Sequence, residues 1–187
     1  MGIRRKSRET AMQFLFQEEF FPEGVHLPDD LEGRFDRFCL LYPIQKLARP
    51  YTLELLRGTM HHLERIDALI RESASNWRIE RIALTDRNLL RIAVYEMLFS
   101  EDAPDQVVIN EALEIAKRYG TEESPSFING VLDAVRVVIH GRAETQKQKD
   151  GLKSRDPSRE GLVGEAEARE DARDEVERAE TDTLTKN

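Results

Sequence analysis

Apolar residues along this chain recur at three- and four-residue intervals, and no stretch shows the strong two-residue alternation of a half-buried strand. That rhythm predicts an all-α fold. A first helix is expected over residues 7–19, burying Ala11, Met12, Leu15 and either Phe14 or Phe16, and ending where Phe21-Pro22-Glu23-Gly24 punctuates the backbone. A second is expected over 29–41, stopping at Tyr42-Pro43. The third spans 50–72, with Pro50 in its first turn and Leu53, Leu56, Met60, Leu63 and Ile70 along one stripe. Residues 76–82 predict a short helix around Trp77.

The next segment is the most apolar. Thr85 is placed to cap a helix whose first turn carries Asp86, a charge that suits the helix dipole. From Leu89 to Phe99 nearly every face is apolar, which predicts a central, surrounded helix. Arg91 and Glu96 interrupt it and need partners if buried, with Glu111 expected for Arg91. A further helix runs from Pro104 through Tyr119 on the stripe Ile109, Ala112, Leu113 and Ala116, with Gly120 as its C-terminal cap. Ser124-Pro125 then opens the last helix, whose stripe is Ile128, Val131, Leu132, Val135 and Ile139. Asn129-Gly130 is elsewhere a hairpin signal, but inside this helical period it predicts a close helix contact at Gly130.

After Gly141 the apolar pattern stops. Residues 143–187 are charged and polar and bury too little to offset their ordering entropy. The expectation is a domain over 1–142 followed by a disordered charged tail over 143–187, in which 165–178 forms at most a transient helix. No run reaches the roughly 18 apolar residues of a membrane span, and the charged N-terminus lacks an apolar leader. A cytoplasmic protein without membrane contact is expected. Cys39 is the only cysteine, which excludes an internal disulfide and a cysteine zinc site and suggests a small core hydrophobe.

Catalytic chemistry finds no anchor. The adjacent His61 and His62 point about 100° apart on a helix and share a metal poorly, so solvent-facing histidines are expected. His61-x-x-Glu64 lacks the second motif of a di-iron site. No P-loop, dinucleotide loop or nucleophile elbow occurs, so no catalytic residue, metal or cofactor is expected. The reading is a binding module rather than an enzyme.

Net charge is −8, which opposes indiscriminate nucleic-acid binding. The charge is nonetheless polarised, with Arg4, Arg5, Lys6 and Arg8 at one end and acids crowded over 165–180. A screening length of about 8 Å at physiological salt lets such a patch act locally. On a helix, Arg4 and Arg8 lie one turn apart and Arg5 shares their side, with Phe16 two turns beyond Arg8. Guanidinium groups grip phosphate and stack on exposed bases. By spacing alone, this segment is either a phosphate-binding patch or a frayed, solubilising terminus with Phe16 in the core.

Arg4-Arg-Lys-Ser-Arg-Glu-Thr-Ala-Met-Gln-Phe-Leu-Phe16 resembles the opening R-R-x-x-R-E-x-A-x-Q-x-L-[YF] pattern of the NusB family of bacterial transcription antitermination factors. The similarity continues through Asp86-Arg-Asn-Leu-Leu-Arg-Ile-Ala-Val-Tyr-Glu96, Val108-Ile-Asn-Glu-Ala-Leu-Glu-Ile-Ala-Lys-Arg-Tyr-Gly120 and Phe127-Ile-Asn-Gly-Val-Leu-Asp133. Together these matches span most of residues 4–139. The resemblance implies a compact bundle of about seven helices in two subbundles, outside which the tail beyond Gly141 falls. It implies a partnership with NusE, a small-subunit ribosomal protein, and joint binding of single-stranded boxA RNA. Such a complex helps RNA polymerase resist termination, notably on ribosomal RNA operons.

By matching position, Arg4, Arg5 and Arg8 are the implied RNA contacts, supported by Lys6 and the aromatic Phe16. Lys117, Tyr119 and Phe127 belong to a second implied RNA-side segment, where Glu122 and Glu123 trim affinity or exclude wrong RNAs. Asp86, with Arg87 beside it, falls on the implied NusE-facing side. Pro125 and Ser126 depart from the family pattern where a basic residue can occur, which weakens the case for phosphate contact there. The resemblance leaves room for a homodimer, and a protein-binding adaptor without specific RNA recognition is the alternative reading.

Overall fold

The helical rhythm becomes seven α-helices in the computed structural model, which describes residues 2–21, 31–74, 78–100 and 103–153 and contains no strand among them. They are α1 (Ile3–Glu18), α2 (Leu31–Leu41), α3 (Arg49–His61), α4 (Leu63–Ser73), α5 (Leu84–Phe99), α6 (Asp105–Tyr119) and α7 (Ser124–Lys153). Short 3-10 turns occupy Lys46–Ala48 and Ile79–Arg81. The central packing is that of α5 against α1, α3, α4 and α6, with α1 also laid along α3, and residues of all seven helices share one core. No described helix is long and apolar enough to cross a membrane.

The apolar run in α5 has the expected consequence. Leu89, Leu90, Ile92, Ala93, Val94 and Met97 are all buried, so the helix is enclosed on several sides. Between α1 and α2, Phe14 meets Phe35 and Phe38 edge-on at 5.6 Å, which resolves the choice between Phe14 and Phe16 in favour of Phe14. Cys39 is partly buried against this core, and burial raises its thiol pKa.

Several expectations change. The first helix begins at Ile3, four residues early, and Ser7 is buried with its hydroxyl 2.9 Å from the Ala48 carbonyl, which ties the first turns to the 3-10 turn that precedes α3. Thr85 lies inside α5 and caps nothing; Ala83 holds the cap position. The single helix expected over 50–72 is two, broken at His62 (φ −105°, ψ 16°). The break lays the His62 ring flat on Phe99, with centroids 3.9 Å apart, so of the two adjacent histidines only His61 is fully exposed. Next to it Gly58 makes room for the Tyr95 ring, which an added Cβ would meet at 2.0 Å and have to displace. The buried stripe of α3 is Thr52, Leu55, Leu56 and Thr59, rotated from the expected one, and Leu63 is exposed.

Arg91 pairs with Asp67 (2.8 Å) and Glu19 (2.9 Å), not with Glu111. Gly130 lies in a helix as expected but makes no close contact: nothing comes within 4 Å of an added Cβ. The last helix continues past Gly141 to Lys153, overrunning the expected tail boundary at 143. Ala, Glu, Gln and Lys after Gly141 are good helix formers, so a helix already nucleated propagates through them. A compact unit ends at Gly141 and a second spans Arg142–Asn187. The expected helix around Trp77 falls partly on residues 75–77, which lie outside the described residues, as do 154–187.

Candidate nucleic-acid interface

A helix start carries partial positive charge, so four cations in the first two turns of α1 are electrostatically unfavourable unless anions meet them. Carboxylates from α5, α6 and α1 itself do so. Deepest is Arg8, 3% exposed, whose Nε and Nη2 donate to Glu96 at 2.8 and 2.7 Å. The Tyr51 hydroxyl donates to the same carboxylate, and burial together with Glu96 drives the tyrosine pKa well up. Above this buried knot, the exposed Arg4 lies 4.8 Å from the Tyr51 ring centroid, a cation–π contact. Arg8 was expected to touch RNA directly; instead its charge is spent inside the bundle, where it fixes the base of the cationic turn.

The remaining cations stay near the surface. Arg5 donates from Nε and Nη2 to both oxygens of Glu111, each at 2.7 Å, and Arg5 holds that carboxyl below its ordinary pKa. Lys117 binds Glu114 at 2.6 Å, and Glu114 also stands 3.8 Å from Arg5. The buried Glu9 gathers three neighbours: Lys6 at 3.5 Å, Arg118 at 3.4 Å and the Tyr119 hydroxyl at 3.3 Å. Through these acids the cations of α1 and of the end of α6 come together on one face.

Tyr119 carries that face into a groove of about 380 Å³ lined by Phe16, Phe20, Tyr42, Gln13 and Gln17, among others. Phe16 is 37% exposed and packs edge-on against Phe20 at 5.2 Å. The groove therefore offers open aromatic surface beside fixed cations. That combination suits unstacked bases on a phosphate backbone.

Phe127 lies elsewhere, in a smaller cleft of about 150 Å³ with Asp86, Arg81, Thr121 and Ser124. Asp86 is 6% exposed and accepts a 2.8 Å bond from the Ser124 hydroxyl, while its second oxygen has no hydrogen-bond partner. Burial raises its pKa, and the Ser124 bond opposes that rise. Arg87 turns to Glu19 at 3.0 Å. Gly120 closes α6 in an extended conformation (φ −94°), so it is needed for space rather than for a left-handed turn: an added Cβ would fall 2.5 Å from Ser124.

The implied RNA residues of α1 and α6 thus share a face, while Phe127 joins the implied partner residue Asp86. Sequence reasoning marked Glu96 as a charge in need of a partner and Glu111 as a partner, but for Arg91 rather than Arg5. It overlooked Glu114 and the contributions of Tyr51, Phe20 and Tyr42, and Glu9 entered only as the residue adjacent to Arg8 in the opening motif.

The chain as a whole is similar to proteins of one family. The NusB family model matches residues 5–136. The chain is 52% identical to the transcription antitermination protein NusB of Desulfotalea psychrophila over 138 residues, covering 74% of this chain and 98% of that protein. It is 44% identical to the NusB of Desulfitobacterium hafniense over 153 residues, covering 82% and 99%. Among solved structures, T. maritima NusB superposes with a TM-score of 0.60 at 41% identity, covering 71% of this chain and 89% of that one. The structure of antitermination factors NusB and NusE in complex with dsRNA superposes at 0.63 with 27% identity, covering 74% and 98%. With a family match across most of its length and relatives well above the identity that establishes kinship, this chain belongs to the NusB family of transcription antitermination proteins.

Proposed function

We propose that this chain binds boxA RNA together with the ribosomal protein NusE, acting in the cytoplasm within an RNA polymerase antitermination complex on ribosomal RNA operons. The observation that carries the reading is the joining of α1 and α6 cations beside an aromatic groove, in a chain similar to a NusB solved with NusE and RNA. Arg4, Arg5, Lys6 and Lys117 supply phosphate contacts, and Arg8 positions them from within. Phe16 and Tyr119 offer faces on which bases stack. Asp86, Arg87 and Phe127 form the partner side, where the buried carboxylate suits a basic group of NusE. The mechanism is assembly without chemistry: a modest RNA contact gains affinity when a second protein surface is tethered beside it.

Titration of the chain and NusE with single-stranded boxA, scrambled and duplex RNA tests this reading. Tighter binding of boxA than of the other two, lost when Arg4, Arg5 and Lys117 are replaced by alanine, is expected. A NusE complex indifferent to RNA sequence would favour the protein-binding adaptor instead. Sedimentation of the chain alone, with and without RNA, tests whether a homodimer covers the same face.

A further inference from the structure

The cations of the candidate face already hold carboxylates of their own chain, and those carboxylates are not equivalent. Glu111 grips Arg5 with two 2.7 Å bonds, and only 21% of its side chain is exposed. Glu114 meets Lys117 through a single 2.6 Å bond between neighbours on one helix, with side chains 43% and 60% exposed. Water competes for both ends of an exposed, single-bond pair, so it contributes little and opens readily. A bidentate, partly buried pair is held far more firmly. A phosphate reaching Lys117 therefore meets a carboxylate that it can displace, whereas one reaching Arg5 meets a fixed one.

We propose that Glu114 is a built-in competitor for the RNA backbone, an exchangeable counter-anion that Lys117 gives up to accept a phosphate. The proposal rests on the RNA-binding reading above and adds to it a residue that sets affinity. Three consequences follow from the geometry. Once displaced, the Glu114 carboxylate remains beside the incoming phosphates and repels them, with Arg5 at 3.8 Å as its remaining cation. The uncovered carboxylate also takes up a cation from solution, which offsets one of those that the RNA releases. Finally, phosphates carry no sequence information, so the competition weakens every RNA strand by the same factor.

The test measures wild type, Glu114→Gln, Lys117→Ala and the double variant, each with NusE, against single-stranded boxA and scrambled RNA over a range of salt. Glu114→Gln is expected to bind both RNAs about threefold more tightly, the size of one exposed ion pair. Its log–log salt slope should steepen by up to about 0.7. In the Lys117→Ala background the gain should shrink toward none. Circular dichroism checks that the variants keep the wild-type helix content. Unchanged or weaker binding by Glu114→Gln, a gain confined to boxA, or a gain that persists in full without Lys117 would overturn the proposal while leaving RNA binding intact. Failure of the wild-type complex to bind either RNA would instead overturn the reading on which it rests.

Discussion

Arg8 and Lys117 each carry one positive charge, and each has a carboxylate 2.6 to 2.8 Å away, yet they belong to different parts of the molecule's economy. Arg8 and Glu96 are both sealed in the bundle, held by several bonds and by Tyr51. Lys117 and Glu114 lie in water. Partner chemistry is the same in both, so the surroundings decide the role. A buried pair cannot open without stranding a charge in a poor solvent for it. An exposed pair opens at almost no cost and leaves its cation ready for another anion. Arg5 with Glu111 stands between the two.

The largest effect should come from breaking the buried member. Arg8→Ala leaves the buried Glu96 carboxyl without its partner and should destabilise the fold by about 3–5 kcal/mol, read from urea unfolding. Replacing Arg8 and Glu96 together by Met and Leu should recover part of that loss, because no stranded charge remains. If the double variant were as unstable as the single, desolvation of Glu96 would not be the cause.

The intermediate pair should respond less. Arg5→Ala should lower stability by about 1 kcal/mol at neutral pH. Because Arg5 depresses the Glu111 pKa in the folded state, that contribution is present above the unfolded value, near pH 4.3, and is lost as pH falls below it. Unfolding midpoints of wild type and Arg5→Ala should therefore converge between pH 5 and about pH 3. A gap that stayed constant would assign the loss to packing of the Arg5 stem.

At the exposed end, Lys117→Ala should change stability by no more than about 0.5 kcal/mol. Its effect should emerge only with RNA, as weaker binding of every strand. The log–log salt slope should be shallower by less than the roughly 0.7 of a full phosphate contact, since cation uptake at Glu114 offsets part of it. A stability loss as large as that of Arg5→Ala would mean that Lys117 and Glu114 hold the fold as Arg5 and Glu111 do.

The sequence disclosed the helices well, because Leu89 to Phe99 and the stripe from Ile128 to Val135 follow a period that only a helix buries. It hid the break at His62, where no Pro or Gly intervenes and stacking on Phe99, far along the chain, decides the outcome. Motif residues of the candidate face were legible as types but not as states. Arg4 and Arg8 have the same chemistry one turn apart, and only the position of Glu96 opposite α1 puts one outside and the other inside. Pairing was equally opaque: nothing local distinguishes Glu111 as a partner for Arg5 from Glu111 as a partner for Arg91.

The corner between α6 and α7 has one more consequence. Gly120 leaves just enough room for Ser124, whose hydroxyl accepts the Thr121 N–H at 2.9 Å and donates to Asp86 at 2.8 Å. The turn is thus bolted to α5, with Tyr119 on one side of it and Phe127 on the other. The backbone between the two aromatic residues is fixed by bonds of its own. A ligand that lands on either side of this turn meets backbone already tied down, and keeps the free energy that ordering it would have consumed.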